Sequence, residues 1–271
     1  MLHLIGHIGL SLVALTCLFP YFWMVSTSFK LKGHVFAFPP EWIPNPATLD
    51  AYRRLFTYIP FFRQFLNTVF VCVTIVIGQL IFSSMGAYAF ARLRFPGRDV
   101  LFLAYLATMM VPGQVTLIPS YVLMRILGWI NTYWALIGPP FLGSAFATFF
   151  LRQFMMTIPV ELEDAARIDG AGYFRIYSTI MLPLIRPALA TIAVFAFVYF
   201  WNDFLWPLVV INSEEKKVLT VAIATLAQSY YGVDWPVMMA GAVLSVLPLL
   251  LIFFSAQRYF VEGIVMSGLK G

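Results

Sequence analysis

The stretch FLNTVFVCVTIVIGQLIFSSMGAYAF, residues 65–90, decides the fold class of this chain. It contains no Asp, Glu, Lys or Arg, and it is long enough to cross a bilayer core about 30 Å thick, which takes roughly 20 apolar helical residues. A helix is the form expected, because each of its backbone groups bonds within the segment. Five further stretches share this character. Together they predict six transmembrane helices, at residues 4–26, 65–90, 100–119, 133–150, 187–210 and 237–256.

The composition of the whole chain agrees with a membrane protein. Hydrophobic residues make up 61% of it and charged residues 11%, whereas soluble domains carry about 25% charged residues. The apolar residues fall in long blocks, so we predict an all-α membrane protein with a single transmembrane domain over residues 1–271. The 17 Lys and Arg residues form no basic run or stripe, which argues against nucleic-acid binding. Two cysteines and three histidines are dispersed, so no disulfide or metal site is predicted.

The connections between the spans bear on orientation. The first long connection contains FPPEWIPNP at 38–46, which is typical of an ordered loop at a membrane face, where Trp favours the headgroup level. The short connection RLRFPGR, residues 92–98, places three arginines beside a span end. The positive-inside rule predicts that it is cytoplasmic, and both termini with it. Lys and Arg are otherwise divided almost evenly between the two sides, so the orientation rests mainly on the connection between the fourth and fifth spans.

That connection differs in kind from the others. Its first part, TIPVELEDAARIDGAG at 157–172, predicts a short surface helix with Thr157 as its N-cap, acidic residues in the first turn, and Gly170 and Gly172 at its end. A second short helix is predicted at 173–182. A helix pair that is not needed for crossing the membrane indicates a docking element.

The same connection carries a family resemblance. Asp164-Ala165-Ala166, then Gly170, then IMLP at 180–183 resemble the EAA loop of bacterial ABC importer permeases. Asp164 stands where that family usually has Glu. Over nearly the whole chain the sequence is similar to the inner-membrane permease subunits of carbohydrate-type importers, those of the maltose and glycerol-phosphate type, in the binding-protein-dependent transport permease family. The other segments that carry this resemblance are FLNT at 65–68, MVPGQVTLIP at 110–119, LGWINTYW at 127–134, WNDFLWPL at 201–208 and QRYFVEG at 257–263.

The resemblance implies a six-span permease with a cytoplasmic EAA coupling-helix loop, here residues 157–183, in the bacterial inner membrane among its lipids. It also implies a second homologous permease subunit, two cytoplasmic ATP-binding subunits, and an extracytoplasmic solute-binding protein that delivers a carbohydrate substrate. The sequence has no GxxxxGK[ST] phosphate loop. We therefore expect no enzyme activity and no cofactor in this chain, with ATP and Mg²⁺ bound by the partner ATPase, unless an ion gradient supplies the energy.

Two sets of candidate site residues follow. The resemblance assigns coupling to the ATPase to Glu163, Asp164, Ala165, Ala166, Asp169, Gly170, Leu182 and Pro183. Polar groups in membrane spans usually face the bundle interior or a water-filled cavity, and sugars bind amides, carboxylates and aromatic faces. The predicted substrate path therefore comprises Asn67, Gln79, Gln114, Trp201, Asn202 and Asp203, with Ser83, Ser84 and Thr116 as further polar residues. Hydrogen bonds between helices are the alternative explanation for these polar residues, and Asn67 and Asp203 fit the outer boundary as well.

Three classes of function remain open from the sequence. The first is the permease subunit of an ATP-driven importer. The second is an ion-gradient-driven secondary transporter or channel, which leaves the helix pair at 157–183 unexplained. The third is an intramembrane enzyme, which needs converging His, Asp or Ser side chains in the spans and finds only Asp203 as an acid.

Overall fold

A computed structural model describes residues 2–228 and 232–268, and all regular structure in these residues is helical. A π-helical segment, Tyr177–Met181, joins two of the α-helices. The α-helices are α1 Leu2–Ser28, α2 Asp50–Tyr58, α3 Phe61–Arg92, α4 Arg98–Ala107, α5 Gly113–Ile126, α6 Tyr133–Phe141, α7 Ala145–Met156, α8 Glu161–Ile168, α9 Tyr173–Ile176, α10 Leu182–Leu184, α11 Arg186–Trp201, α12 Leu205–Val210, α13 Leu219–Thr225 and α14 Trp235–Gly268.

Four helices of the described residues are long and apolar enough to cross a membrane: Gly6–Ser28, Phe61–Arg92, Tyr133–Met156 and Trp235–Ser255. Two further helix pairs meet the same test together but are sharply bent. Arg98–Met110 with Gly113–Ile126 bends by 99°, and Tyr173–Leu184 with Arg186–Trp201 bends by 77°. The count is therefore four, or up to six if each bent pair is one span.

The structure differs from two of the predicted spans. Residues 100–119 do not form one continuous helix, because the chain is extended at Val111 (φ −83°, ψ 116°) immediately before Pro112. Proline disfavours a helical conformation in the residue before it and offers no N–H of its own. The predicted span at 187–210 is also interrupted, since α11 ends at Trp201 and α12 begins only at Leu205. The other four predicted spans lie within α1, α3, α14 and the run from α6 to α7.

The described chain divides into two compact units. The first comprises Met1–Leu66 and Lys217–Leu250. In it α2 buries Leu55, and a Cβ built on Gly241 of α14 would lie 3.4 Å from Leu55 Cδ1, so the two helices pack closely. Arg54 of α2 pairs with Asp50 and with the buried Asp234. Burial opposes the charge of Arg54, but the carboxylates of Asp234 and Asp50 together with Tyr58 outweigh it and raise the pKa of this guanidinium.

The connection after α1, within the first unit, is fixed to the end of that helix. Ser26 Oγ donates to the carbonyl oxygen of Trp42 at 2.7 Å, and the Thr48 N–H donates to the carbonyl oxygen of Phe29 at 2.9 Å. The buried ammonium of Lys30 lies 4.0 Å from the centre of the Trp23 ring. These contacts give the aromatic loop a defined conformation.

The second unit comprises Asn67–Lys216 and Leu251–Gly271. Its core is formed by α3, α7, α11 and the helical run from α9 to α10. Gly78 of α3 packs directly against Phe141, because a Cβ at this position would overlap the Phe141 ring. The buried core residues are Ala87, Tyr88, Ala147, Leu151, Met155, Ile176, Tyr177, Met181, Ile185, Ala188 and Ile192. The single transmembrane domain expected from the sequence stays a prediction.

Candidate functional site

The predicted surface helix is present as α8, Glu161–Ile168, but it begins later than expected. Thr157 is not its N-cap. The Thr157 hydroxyl instead donates to the carbonyl oxygen of Phe154, and the residue ends α7. Val160 occupies the N-cap position of α8 without a side-chain cap, and Glu161, Glu163 and Asp164 lie in the first turn. Acidic side chains there are favoured by the partial positive charge of a helix N-terminus.

Gly170 ends α8 in a left-handed conformation, with φ +80°. Its N–H donates to the carbonyl oxygen of Arg167 at 3.0 Å, and the N–H of Ala171 donates to the carbonyl oxygen of Ala166 at 2.9 Å. This pair of bonds is the Schellman motif, which satisfies carbonyls at a helix end and strongly favours glycine at the left-handed position. The prediction that α8 ends at Gly170 is therefore confirmed.

The inner face of α8 is held by Glu163, whose side chain is 1% exposed. Its Oε1 lies 2.7 Å from Nε of Arg92, the last residue of α3, and its Oε2 lies 3.7 Å from Nη2 of Arg167. The Tyr88 hydroxyl donates to Oε2 over 3.5 Å. The carboxylate of Glu163 is thus enclosed by two guanidinium groups and a phenol, and it faces the interior of the second unit.

The remaining predicted coupling residues divide between the interior and the surface. Ala166 and Leu182 are partly buried and pack against the core of the second unit. The side chains of Asp164, Ala165, Asp169 and Pro183 are exposed, as is Gly170. The structure therefore presents Asp164 and Ala165 outward, away from the buried side chain of Glu163.

Large apolar side chains are also exposed on α8 and α9. Ile168 at the end of α8 is 87% exposed, and Leu162, Tyr173 and Phe174 are exposed as well. We call Leu162, Asp164, Ala165, Ile168, Tyr173 and Phe174 the α8 patch. An acidic and apolar surface of this kind on a short connection between longer helices is typical of an interaction site.

A cavity of about 570 Å³ lies elsewhere in the second unit, between α5, α6, α11 and α12. Three residues proposed from the sequence line it, Gln114, Thr116 and Asp203. Its volume falls within the range of about 300–1,000 Å³ usual for small-molecule sites. The other lining residues are Gly113, Leu117, Ser120, Leu123, Met124, Leu136, Pro139, Pro140, Tyr199, Phe200, Leu205 and Trp206.

Four of the predicted path residues lie outside this cavity. The Asn67 side chain donates from Nδ2 to the carbonyl oxygen of Glu215 at 2.8 Å and accepts from the Tyr133 hydroxyl at 2.8 Å. Trp201 is buried and stacks on Phe197 with ring centres 5.2 Å apart. Asn67 therefore joins α3 to α6 and to the chain after α12.

Gln79, Asn202 and the two serines also bond within the chain. Gln79 Oε1 accepts from the Ser144 hydroxyl at 3.5 Å, and Asn202 Nδ2 donates to the carbonyl oxygen of Val198 at 2.7 Å. Ser83 Oγ accepts from the Ser144 N–H at 3.2 Å. Ser84 shares a hydrogen bond with the Tyr177 hydroxyl at 2.7 Å. Contacts between helices, the alternative considered for these residues, are what the structure shows for both serines.

The sequence argument missed several residues of these sites. Arg92 was considered only as a charge that sets topology, Trp206 only as part of a segment that carries the family resemblance, and Tyr199 of the cavity was not considered at all. An aromatic residue beside the polar segment 201–203 would have been a usable signal for the cavity, since aromatic faces are common in sugar sites. The described residues contain no group of three or more His, Cys, Asp or Glu side chains placed to hold a metal ion.

Comparison with known proteins defines the class. Residues 79–265 match the family described as "Binding-protein-dependent transport system inner membrane component". The chain belongs to this family, which confirms the predicted resemblance to binding-protein-dependent transport permeases. It is thus a permease component of an ABC importer, and the alternative of a secondary transporter or channel is not favoured.

Particular relatives cover almost the whole chain. The arabinooligosaccharides transport system permease protein AraQ of Halalkalibacterium halodurans is 37% identical over 267 residues, 97% of this chain and 95% of that protein. The sn-glycerol-3-phosphate transport system permease protein UgpE of Brucella abortus is 34% identical over 271 residues, 97% of this chain and 96% of that protein. The crystal structure of a bacterial ABC transporter involved in import of the acidic polysaccharide alginate contains a chain with TM-score 0.84 and 28% identity, covering 96% of both chains.

Proposed function

We propose that this chain forms one half of the translocation path for a sugar or sugar derivative, beside a second homologous permease subunit. Two cytoplasmic ATP-binding subunits supply the energy, and an extracytoplasmic solute-binding protein delivers the substrate. Family membership and the sugar-related names of its relatives support this assembly. ATP and Mg²⁺ are held by the ATPase subunits rather than by this chain.

The observation that carries the proposal is the α8 patch. It exposes apolar side chains that include Ile168 and Phe174, while the opposite face of α8 is fixed by Glu163. A surface groove of an ATPase subunit would cover these apolar side chains, and the exposed Ala165 would allow close approach. We therefore infer that residues 157–183 are the EAA loop and that α8 transmits motion between the ATPase and the membrane helices.

The topology follows from this placement. Counting Arg98–Met110 with Gly113–Ile126 as one bent span and Arg186–Trp201 as another gives six spans. Residues 157–183 and both termini then lie in the cytoplasm of a bacterial cell, with the permease in its inner membrane. The arginine-rich connection at 92–98 then lies on the same side, in agreement with the positive-inside rule.

The cavity lined by Gln114, Thr116 and Asp203 is our candidate for the substrate path in this subunit. Amide, hydroxyl and carboxylate groups there can bond sugar hydroxyls, and Tyr199 and Trp206 offer ring faces to a sugar. The helix break after Trp201 supports this assignment, because irregular backbone at membrane depth is tolerated where it lines a cavity.

A cross-linking experiment tests the coupling role. In a chain without its native cysteines, Ile168→Cys should cross-link to the ATPase subunit in the assembled complex, because it is the most exposed apolar residue of α8. Ile118→Cys, on the exposed surface of α5, is the matched control and should not. Absence of a cross-link at residue 168, together with sugar uptake by the chain alone in liposomes under an ion gradient, would refute the proposal in favour of a secondary transporter.

A further inference from the structure

The C-terminal residue of the long helix α3 contacts three different parts of the second unit. Nε of Arg92 lies 2.7 Å from Oε1 of Glu163 on α8. Nη2 of Arg92 donates to the carbonyl oxygen of Met155 at 2.8 Å and to that of Ile158 at 2.6 Å. Met155 lies in the last turn of α7, and Ile158 lies in the connection to α8. One guanidinium group, at the end of α3, therefore contacts the end of α7, the connection that follows α7, and α8.

The chemistry of arginine suits this arrangement. Its planar guanidinium presents donors in a fixed fork, so one side chain can hold a carboxylate on one edge and carbonyl oxygens on another. The carbonyls of Met155 and Ile158 lie at the C-terminal end of α7 and just beyond it, where carbonyls lack intrahelical partners and a positive charge is favoured. A lysine would keep the charge but would not reproduce the fork.

The pair is also shielded from water. The side chains of Arg92 and Glu163 are 10% and 1% exposed, so water and salt screen their attraction little. The carboxylate of Glu163 turns inward, away from the α8 patch, and is therefore not part of the surface that we assign to the ATPase contact. Its function lies inside this chain.

We propose that Arg92 is a positioning residue that fastens α8 to the end of α3, so that the two helices move as one body during the transport cycle. This inference rests on the proposed coupling role of α8. A docking helix transmits a displacement only if it is rigidly joined to a membrane helix, and Arg92 provides that joint. Arg92, which the positive-inside rule uses only as a charge, thus also positions α8.

The test measures the distance between α3 and α8 directly, without any need for the substrate. Spin labels are placed at Met85→Cys on α3 and Glu161→Cys on α8, both exposed positions, after Cys17 and Cys72 have been replaced. Pulsed electron paramagnetic resonance is recorded in the assembled complex without nucleotide and with ATP and vanadate. We expect one narrow distance distribution, unchanged between the two states.

Variants of the joint should change this result. Arg92→Leu should broaden the distribution or make it differ between the two states, and Arg92→Lys should fall between that variant and the unaltered protein. Arg98→Leu is the control, because Arg98 contacts nearby residues of the same connection, the exposed Asp99 at 2.9 Å and the carbonyl oxygen of Leu93 at 3.4 Å. Its loss should leave the distribution narrow.

A double variant distinguishes the positioning role from a role of the ion pair in stability alone. Removing one partner leaves a buried charge unpaired, whereas replacing both by apolar residues is often tolerated. The double variant Arg92→Leu with Glu163→Leu should therefore recover normal amounts in the membrane but keep the broadened distance distribution. A narrow distribution in the single and double variants, or a distance in the unaltered protein that changes between the two states, would overturn the proposal.

Failure of the proposed function would appear separately. If the chain does not assemble with an ATP-hydrolysing subunit, the coupling role of α8 is refuted. The distance between the two labels in the isolated permease still reports whether Arg92 fastens α8 to α3, since both labels and the ion pair lie in this chain.

Discussion

Replacing Gly170 by valine should strongly weaken coupling while leaving the chain in the membrane. Gly170 has φ +80° at the end of α8, and a β-branched residue is a genuine outlier in this region of backbone conformation. No atom lies within 4 Å of a Cβ built on Gly170. The substitution therefore introduces backbone strain without a steric clash, and its effect reports the conformation of the turn alone.

The size of the effect follows from the cost of the left-handed conformation. For a residue with a Cβ that cost is about 1–2 kcal/mol, and valine should lie at the upper end because it is β-branched. An energy of one or two kcal/mol changes a conformational equilibrium by a factor of about 5–30. When the turn relaxes, the bonds from Gly170 to Arg167 and from Ala171 to Ala166 are lost, and α8 no longer leaves its last turn in the same direction. We expect ATP-driven uptake to fall by a similar factor, about 5- to 30-fold.

The chain offers a matched control two residues away. Gly172 also has open space around a Cβ, but its φ is −75° and its ψ 164°, an extended conformation that valine adopts freely. Gly172→Val should therefore import normally. Gly170→Asn should retain more uptake than Gly170→Val, because asparagine tolerates the left-handed region better than other non-glycine residues.

The assay compares uptake and ATP hydrolysis in the same proteoliposomes, with the amount of permease measured by immunoblot. The reasoning is refuted if Gly170→Val imports as well as the unaltered protein at equal abundance. An equal loss in Gly172→Val would also contradict it, since the effect would then not depend on the sign of φ.

Three further predictions concern the packing, the cavity and the outer loop. Gly78→Ala should destabilise the second unit by about 1–3 kcal/mol, the usual cost of overpacking, because its Cβ would overlap Phe141; Gly86→Ala, whose Cβ would meet its nearest atom at 3.5 Å, should not. Equal thermal stability of the two purified variants would contradict this. Asp203→Asn should lower sugar uptake about 10-fold or more at unchanged abundance, since a hydrogen bond to a charged group contributes about 1.5–3 kcal/mol; unchanged uptake would remove the carboxylate from the substrate path. Replacing residues 38–46 by a flexible Gly-Ser segment should lower ATPase stimulation by the loaded binding protein, whereas normal stimulation would show that the loop only connects α1 to α2.

Several features of this protein are readable from the sequence because they are local. Helices within residues 4–26, 65–90 and 237–256 follow from the absence of charge over a length that crosses a bilayer, since backbone groups there must bond within the segment. The end of α8 at Gly170 is local as well, because a Schellman turn depends on a few consecutive residues. The family resemblance is local too, because it rests on short segments of consecutive residues that follow one another along the chain.

The breaks in the membrane helices were only partly readable. Pro112 lies within a predicted span, yet a proline inside a membrane helix is often accommodated without a break, as at Pro248 within α14. Whether a proline bends or ends a helix depends on the neighbours that satisfy the freed carbonyls. The hydrophobic pattern likewise did not predict the interruption of 187–210 after Trp201.

The roles of individual polar residues were decided by the tertiary structure. Asn67 and Gln114 are both amides in apolar surroundings, but Asn67 bonds Tyr133 while Gln114 lines the cavity. Arg92 and Glu163 are far apart along the chain and carry no common periodicity, so only the packing of α3 against α8 brings them to 2.7 Å. Hydrophobic pattern fixes which segments leave water, whereas the partner of each polar group is set by long-range contacts that form only when those segments pack together.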